Sequence, residues 1–193
     1  MSEETIIRHC SPTLAGIKTG NLFRCSYGTR KEMQTDVRHW NTVLSPKGLR
    51  IIPLRFEEDS ALIYVYRPAR LQKDLENDDA CALLREQGYC TETPSRCVAC
   101  LIRRLQESQE FPHEIGLFLS YPPEDVTGFM EHRGADCKCT GFWKVYGNAE
   151  AAQKTFARYK KCIDAYCREW KNGRSLERLI MPAGRKCRKE GTV

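Results

Sequence analysis

The 193-residue sequence contains no apolar run approaching the roughly 18 to 20 residues that a spanning helix needs, so no membrane partner is expected. Its first residues, Met1-Ser2-Glu3-Glu4, lack the basic and apolar stretches of a secretory signal, and the expected location is cytoplasmic. Internal repeats and low-complexity linkers are also missing. Residues 1–180 therefore read as a single domain, followed by a short, basic, frayed tail over 181–193. Nucleotide cradles are not found either. The stretch Leu14-Ala15-Gly16-Ile17-Lys18-Thr19-Gly20 supplies Gly, Lys and Thr, but neither the Walker order nor GxGxxG. Nucleic-acid binding would need basic residues interleaved with exposed aromatics, and the aromatic residues here fall on faces expected to be buried.

Apolar content of 41% and charged content of 29% are ordinary for a globular chain of this length. The net charge of +6 is uneven: residues 133–193 hold 15 Lys and Arg against 6 Asp and Glu, whereas residues 1–132 are acidic on balance. The asymmetry is compatible with an acidic partner or nucleic acid, and a solvated basic helix face is the reading preferred. Cysteine is abundant, with eleven residues, an odd number. In a reducing compartment these are free thiols, metal ligands or small buried hydrophobes rather than staples.

Local signals predict an α+β fold: a small mixed sheet of about four strands, several helices, and a long C-terminal amphipathic helix. A short helix is expected from Glu3 to Arg8. A second opens at Ser11-Pro12 and stops at Gly20-Asn21, which puts Cys10 just outside a helix N-terminus, where the dipole favours a thiolate. Thr29-Arg30-Lys31-Glu32 is a capping box ahead of Met33, Val37, Trp40 and Leu44. Leu49–Phe56 and Ala61–Arg67 read as a hairpin, with Pro53 marking an edge or bulge. Helices follow from Pro68, near Asp79–Gln87, and from Thr93-Pro94. Ile115–Leu119 reads as a buried strand, Pro122 as the start of a helix ending at Gly134, and Lys138–Tyr146 as the last strand. After the Asn148 cap, Ala149, Ala152, Phe156, Tyr159, Ile163, Tyr166 and Trp170 form one apolar stripe.

Four segments in this order resemble an uncharacterised bacterial family catalogued as a domain of unknown function. They are His9-Cys10-Ser11-Pro12-Thr13-Leu14-Ala15-Gly16, Pro112-His113-Glu114, Leu119-Ser120-Tyr121-Pro122, and Gly141-Phe142-Trp143-Lys144-Val145-Tyr146-Gly147. Pro-His-Glu and Leu-Gly-Tyr-Pro are the family's hallmarks. The resemblance implies a stand-alone cytosolic protein typical of anaerobic bacteria, and it implies no activity. Ser120 stands where the pattern has Gly, which puts in question any role resting on positive φ or close backbone approach to a ligand.

Two chemistries compete. A thiol-dependent or small-ligand site would use Cys10 as nucleophile, His113 as base and Glu114 to orient it, with His9, Lys18 and Tyr121 holding a small molecule. Alternatively, a non-catalytic module of anaerobic metabolism would bind a protein partner or a metal, iron or zinc, through Cys137 and Cys139. The spacing Cys-x-Cys departs from the usual knuckle. Cys97-Val98-Ala99-Cys100 has the knuckle spacing but lies inside an expected helix.

Overall fold

The fold is described from a computed structural model covering residues 1–108 and 110–182. Most of the tail expected over 181–193 lies outside the described residues.

The chain opens with α1 (Glu3–Leu14), capped by Ser2, whose hydroxyl accepts the Thr5 amide. The helix does not break at Ser11-Pro12. Proline removes a donor that would have served Arg8, an exposed residue, and Ser11 Oγ donates back to the Ile7 carbonyl. Cys10 is therefore inside a helix rather than outside its N-terminus. A strand that the local pattern does not announce follows, β1 (Gly20–Ser26). Gly20 opens it because a Cβ there would fall 2.4 Å from the Tyr64 ring. The capping box forms as expected at the start of α2 (Arg30–Leu44), and β2 (Arg50–Phe56) and β3 (Ser60–Tyr66) make the hairpin.

The sheet order is β1-β3-β2, all antiparallel. Pro53 lies on the β2 edge at a register shift, so the missing amide costs the sheet little. The central strand β3 is buried on both faces. Ala61, Ile63 and Val65 point into a core shared with α1, α2 and a short helix near the C-terminal end of the described chain, while Leu62, Tyr64 and Tyr66 point into a second core. That second core is filled from α3 (Pro68–Asp74), α4 (Asp78–Glu86), α5 (Pro94–Glu107), α6 (Ile115–Phe118) and α7 (Pro123–His132). Beyond α7, β4 (Cys139–Thr140) and β5 (Lys144–Val145) pair as a separate two-stranded sheet. The long α8 (Ala149–Lys171) packs along α1, and α9 (Leu176–Leu179) closes the first core.

The α+β class and the long C-terminal helix agree with the sequence reading, but Ile115–Leu119 is not a strand. It forms the single helical turn α6, fully buried, with the Tyr121 amide returning to the Gly116 carbonyl. An apolar run this short carries no period that separates a buried strand from a buried turn.

Arg67, at the end of β3, ties the layers together. It is 4% exposed and donates through Nε to the Thr13 carbonyl at 2.7 Å, and through Nη2 to the carbonyls of Leu14 and Met181 at 2.8 and 2.6 Å. Replacing it by Leu leaves these acceptors without their donor. The expected loss is on the order of 3 kcal/mol, read as a lower urea midpoint; an unchanged midpoint would show that the carbonyls find other partners.

Candidate functional site

The site is built where α6 and α7 face the β4–β5 hairpin. Asp125, in the first turn of α7, is 3% exposed and accepts from three donors. Trp143 Nε1 reaches Oδ2 at 2.7 Å, and the amides of Tyr146 and Gly147 both reach Oδ1 at 2.7 Å. This carboxylate holds the hairpin against the helix. Tyr121 stacks on Trp143, with ring centroids 4.8 Å apart, and donates its hydroxyl to the Phe142 carbonyl at 3.1 Å. Burial pushes the Tyr121 phenol up to about 12.

Between these elements lies a cavity of about 460 Å³, walled mainly by Ile115, Leu119, Val126, Phe129 and Trp143, with His113 and Lys144 at its polar margin. A more polar cavity of about 450 Å³ adjoins it and shares Phe111, His113 and Phe129 as a common wall. The exposed His113 ring meets Phe129 edge-on, with centroids 4.9 Å apart. Glu114, its neighbour, is turned inward and 2% exposed. It accepts from the Tyr89 hydroxyl at 2.9 Å and pairs with Arg104 Nε at 2.8 Å, and both the carboxylate and burial raise the Tyr89 pKa, burial more. Arg104 Nε misses ideal hydrogen-bond alignment, but at that distance the ion pair supplies its partner.

Of the residues singled out from sequence, His113 and Tyr121 line the first cavity and Glu114 the second. Lys18 sits behind Tyr121, 3% exposed, its ammonium 5.4 Å from the Tyr121 ring centroid and 5.8 Å from that of Tyr159. Ring faces surround the ammonium where Lys18 was expected to help hold a small molecule. Cys10 is wholly buried in the core between α1 and the sheet, and burial raises its pKa far above the ordinary thiol value. It is thus the opposite of an activated thiolate, and it does not line either cavity with His113. His9 lies on the outer side of α1, stacked on Phe23 at 5.1 Å, and burial lowers its pKa. Cys137 meets the Thr140 hydroxyl at 3.5 Å, and Cys139 pairs with Val145 in the hairpin. Among the described residues, no three His, Cys, Asp or Glu side chains converge as metal ligands would. Asp125 escapes sequence reasoning because an acid in the first turn of a helix is already explained by the helix dipole.

Ser120 links the N-terminal segment to this site. It adopts φ +60, the left-handed region, and its Oγ accepts the Thr19 amide at 2.8 Å. The left-handed conformation costs a non-glycine residue about 1 kcal/mol, and the hydrogen bond returns a similar amount. Ser120→Ala keeps the strain and loses the bond, whereas Ser120→Gly loses both. The alanine variant is therefore expected to be the less stable of the two by thermal melting; the reverse order would show that the left-handed conformation carries no net cost at this position.

Lys18 gives a pH signature. Burial lowers its pKa from an ordinary 10.5 to about 8. Between those values the unfolded chain keeps a proton that the folded chain has released, so raising the pH through this window favours folding through Lys18. Lys18→Met removes this term. Its stability gain over the native chain is expected to be largest below pH 8 and to shrink toward pH 10.5; a gap independent of pH would place the ammonium in water.

No curated protein and no solved structure matches the chain. A family model described as "Protein of unknown function (DUF3793)" matches residues 6–180, and the chain belongs to that family.

Proposed function

We propose that the protein binds a compact, largely apolar, ring-bearing small molecule in the cavity between α6, α7 and the β4–β5 hairpin. The observation that carries this reading is the cavity itself. Its volume suits a small ligand, its walls are aromatic and aliphatic, and polar groups sit at its margin. Three of the four segments that carry the family resemblance, 112–114, 119–122 and 141–147, contribute to it. His113 supplies the hydrogen-bonding end of the site, because its imidazole meets the ring of Phe129 and lines both cavities. Tyr121, Lys144 and Asp125 are committed to the hairpin and shape the site rather than react in it. The reading is a binding function. The buried Cys10 offers no thiolate to a bound molecule, and Glu114 is directed at Tyr89 and Arg104 rather than at His113.

The test uses 8-anilinonaphthalene-1-sulfonate, whose rings match the walls and whose fluorescence rises in apolar surroundings. Thr140 is exposed and lines the cavity, so Thr140→Trp places an indole there with little demand on the core. The expected result is saturable binding by the native protein, weakened at least roughly tenfold, about 1.4 kcal/mol, by Thr140→Trp and to a smaller extent by His113→Ala. Binding that is unaffected by Thr140→Trp, with circular dichroism unchanged, would overturn the assignment.

A further inference from the structure

A group of thiols lies apart from this cavity. Cys81 is on α4, Cys90 is in the loop that follows, and Cys97 and Cys100 are one turn apart on α5. Cys97 is fully buried, and its thiol is pushed up to about 12 by burial first and then by Cys100, Cys81 and Cys90, which places all four in one neighbourhood. Cys97 and Cys100 have the knuckle spacing, but the structure gives Cys100 a different partner. The Cys90 amide donates to Cys100 Sγ at 3.5 Å, and the Cys100 thiol raises the Cys90 pKa. Cys90 is exposed and Cys100 is 8% exposed, so one sulfur meets solutes while the other waits behind it. That is the arrangement of an attacking and a resolving thiol. Cys81 is held elsewhere, donating to Thr91 Oγ1 at 3.3 Å.

We infer that Cys90 and Cys100 form a dithiol site that closes to a disulfide by exchange with a low-molecular-weight disulfide. The exposed Cys90 thiolate attacks one sulfur of the small disulfide; its S–S bond breaks and one small thiolate leaves, giving a mixed disulfide on Cys90. Cys100, as thiolate, then attacks the Cys90 sulfur and expels the second small thiolate. Each departing thiolate takes up the proton that a cysteine gave up, so two protein thiols are oxidised and one small disulfide is reduced to two thiols. The neighbouring Cys100 thiol raises the Cys90 pKa above its ordinary range, so the exchange accelerates as pH rises. The bond would pin the loop carrying Cys90 to α5, next to Tyr89, whose hydroxyl holds Glu114 beside the polar cavity.

The full chain, fully reduced, is equilibrated with oxidised and reduced glutathione in varying ratio, quenched in acid, alkylated, digested and mapped by mass spectrometry. The expected product is a Cys90–Cys100 cross-linked peptide that grows as the buffer becomes more oxidising. Cys97→Ser leaves it intact, and Cys90→Ser, at an exposed position, reduces it to background. In Cys100→Ser the reaction stalls as a glutathione adduct on Cys90. A Cys97–Cys100 cross-link, or Cys90 and Cys100 both still open to alkylation in fully oxidised glutathione, would overturn the inference.

Discussion

The Asp125 carboxylate is the interaction on which the cavity depends. Strands of two residues, such as β4 and β5, are far too short to hold a hairpin by their own ladder. What fixes this one is a single buried acid that accepts an indole N–H and two successive backbone amides. A buried carboxylate stripped of water is costly unless its lone pairs are filled, and here three charge-assisted bonds fill them. The same contact orients Trp143, which makes one wall of the cavity and stacks on Tyr121. Close approach is needed as well. Gly128 lets α7 meet Tyr146, since a Cβ there would fall 2.5 Å from that ring.

Two buried cations, Arg67 and Lys18, brace the N-terminal layer, and they are accommodated differently. Arg67 is satisfied in the ordinary way, by carbonyls from the end of α1 and from the segment after α9. The guanidinium fork suits several acceptors in fixed directions. Lys18 has ring faces instead, Tyr121 on the cavity side and Tyr159 on α8. Ring quadrupoles replace only part of an ammonium's hydration, which is why burial dominates its lowered pKa. Together with the bond from Thr19 to Ser120, this makes the stretch after α1 a structural backing for the cavity rather than a second half of it.

Capping and alternation made the helices and the central hairpin legible. Thr29, Thr93 and Asn148 each accept an amide of the first turn, and β3 alternates between two cores as its pattern implies. Signals that rest on distant partners were not legible. The strand β1 depends on pairing with β3, some forty residues away, and Gly20 resembled a helix stop because nothing local announces the Tyr64 ring. Ser11-Pro12 carries a helix-start signature, yet α1 runs through it, since one missing donor is outweighed by the buried face of Ile6, Ile7, Cys10 and Leu14. That same continuity put Cys10 in the core and dissolved the nucleophile suggested by its position. His113 and Tyr121, singled out as polar groups flanking an apolar run, both line the cavity, and the run between them is a helical turn and not a strand.

The commitments of the polar groups around the cavity bear on what it can select. Lys144 donates to the Gly134 carbonyl, Tyr121 to that of Phe142, and Asp125 is occupied by three donors. A ligand cannot recruit any of these without weakening the hairpin that forms the cavity. In the proposed binding function, recognition by shape and apolar contact would therefore come first, with His113 as the hydrogen-bonding group at the margin. A ligand that did compete for Asp125 or Tyr121 would have to compensate for the lost hairpin contacts. Its binding would then be coupled to the position of residues 139–147, so the carboxylate that builds the site also sets the limit on how polar its occupant can be.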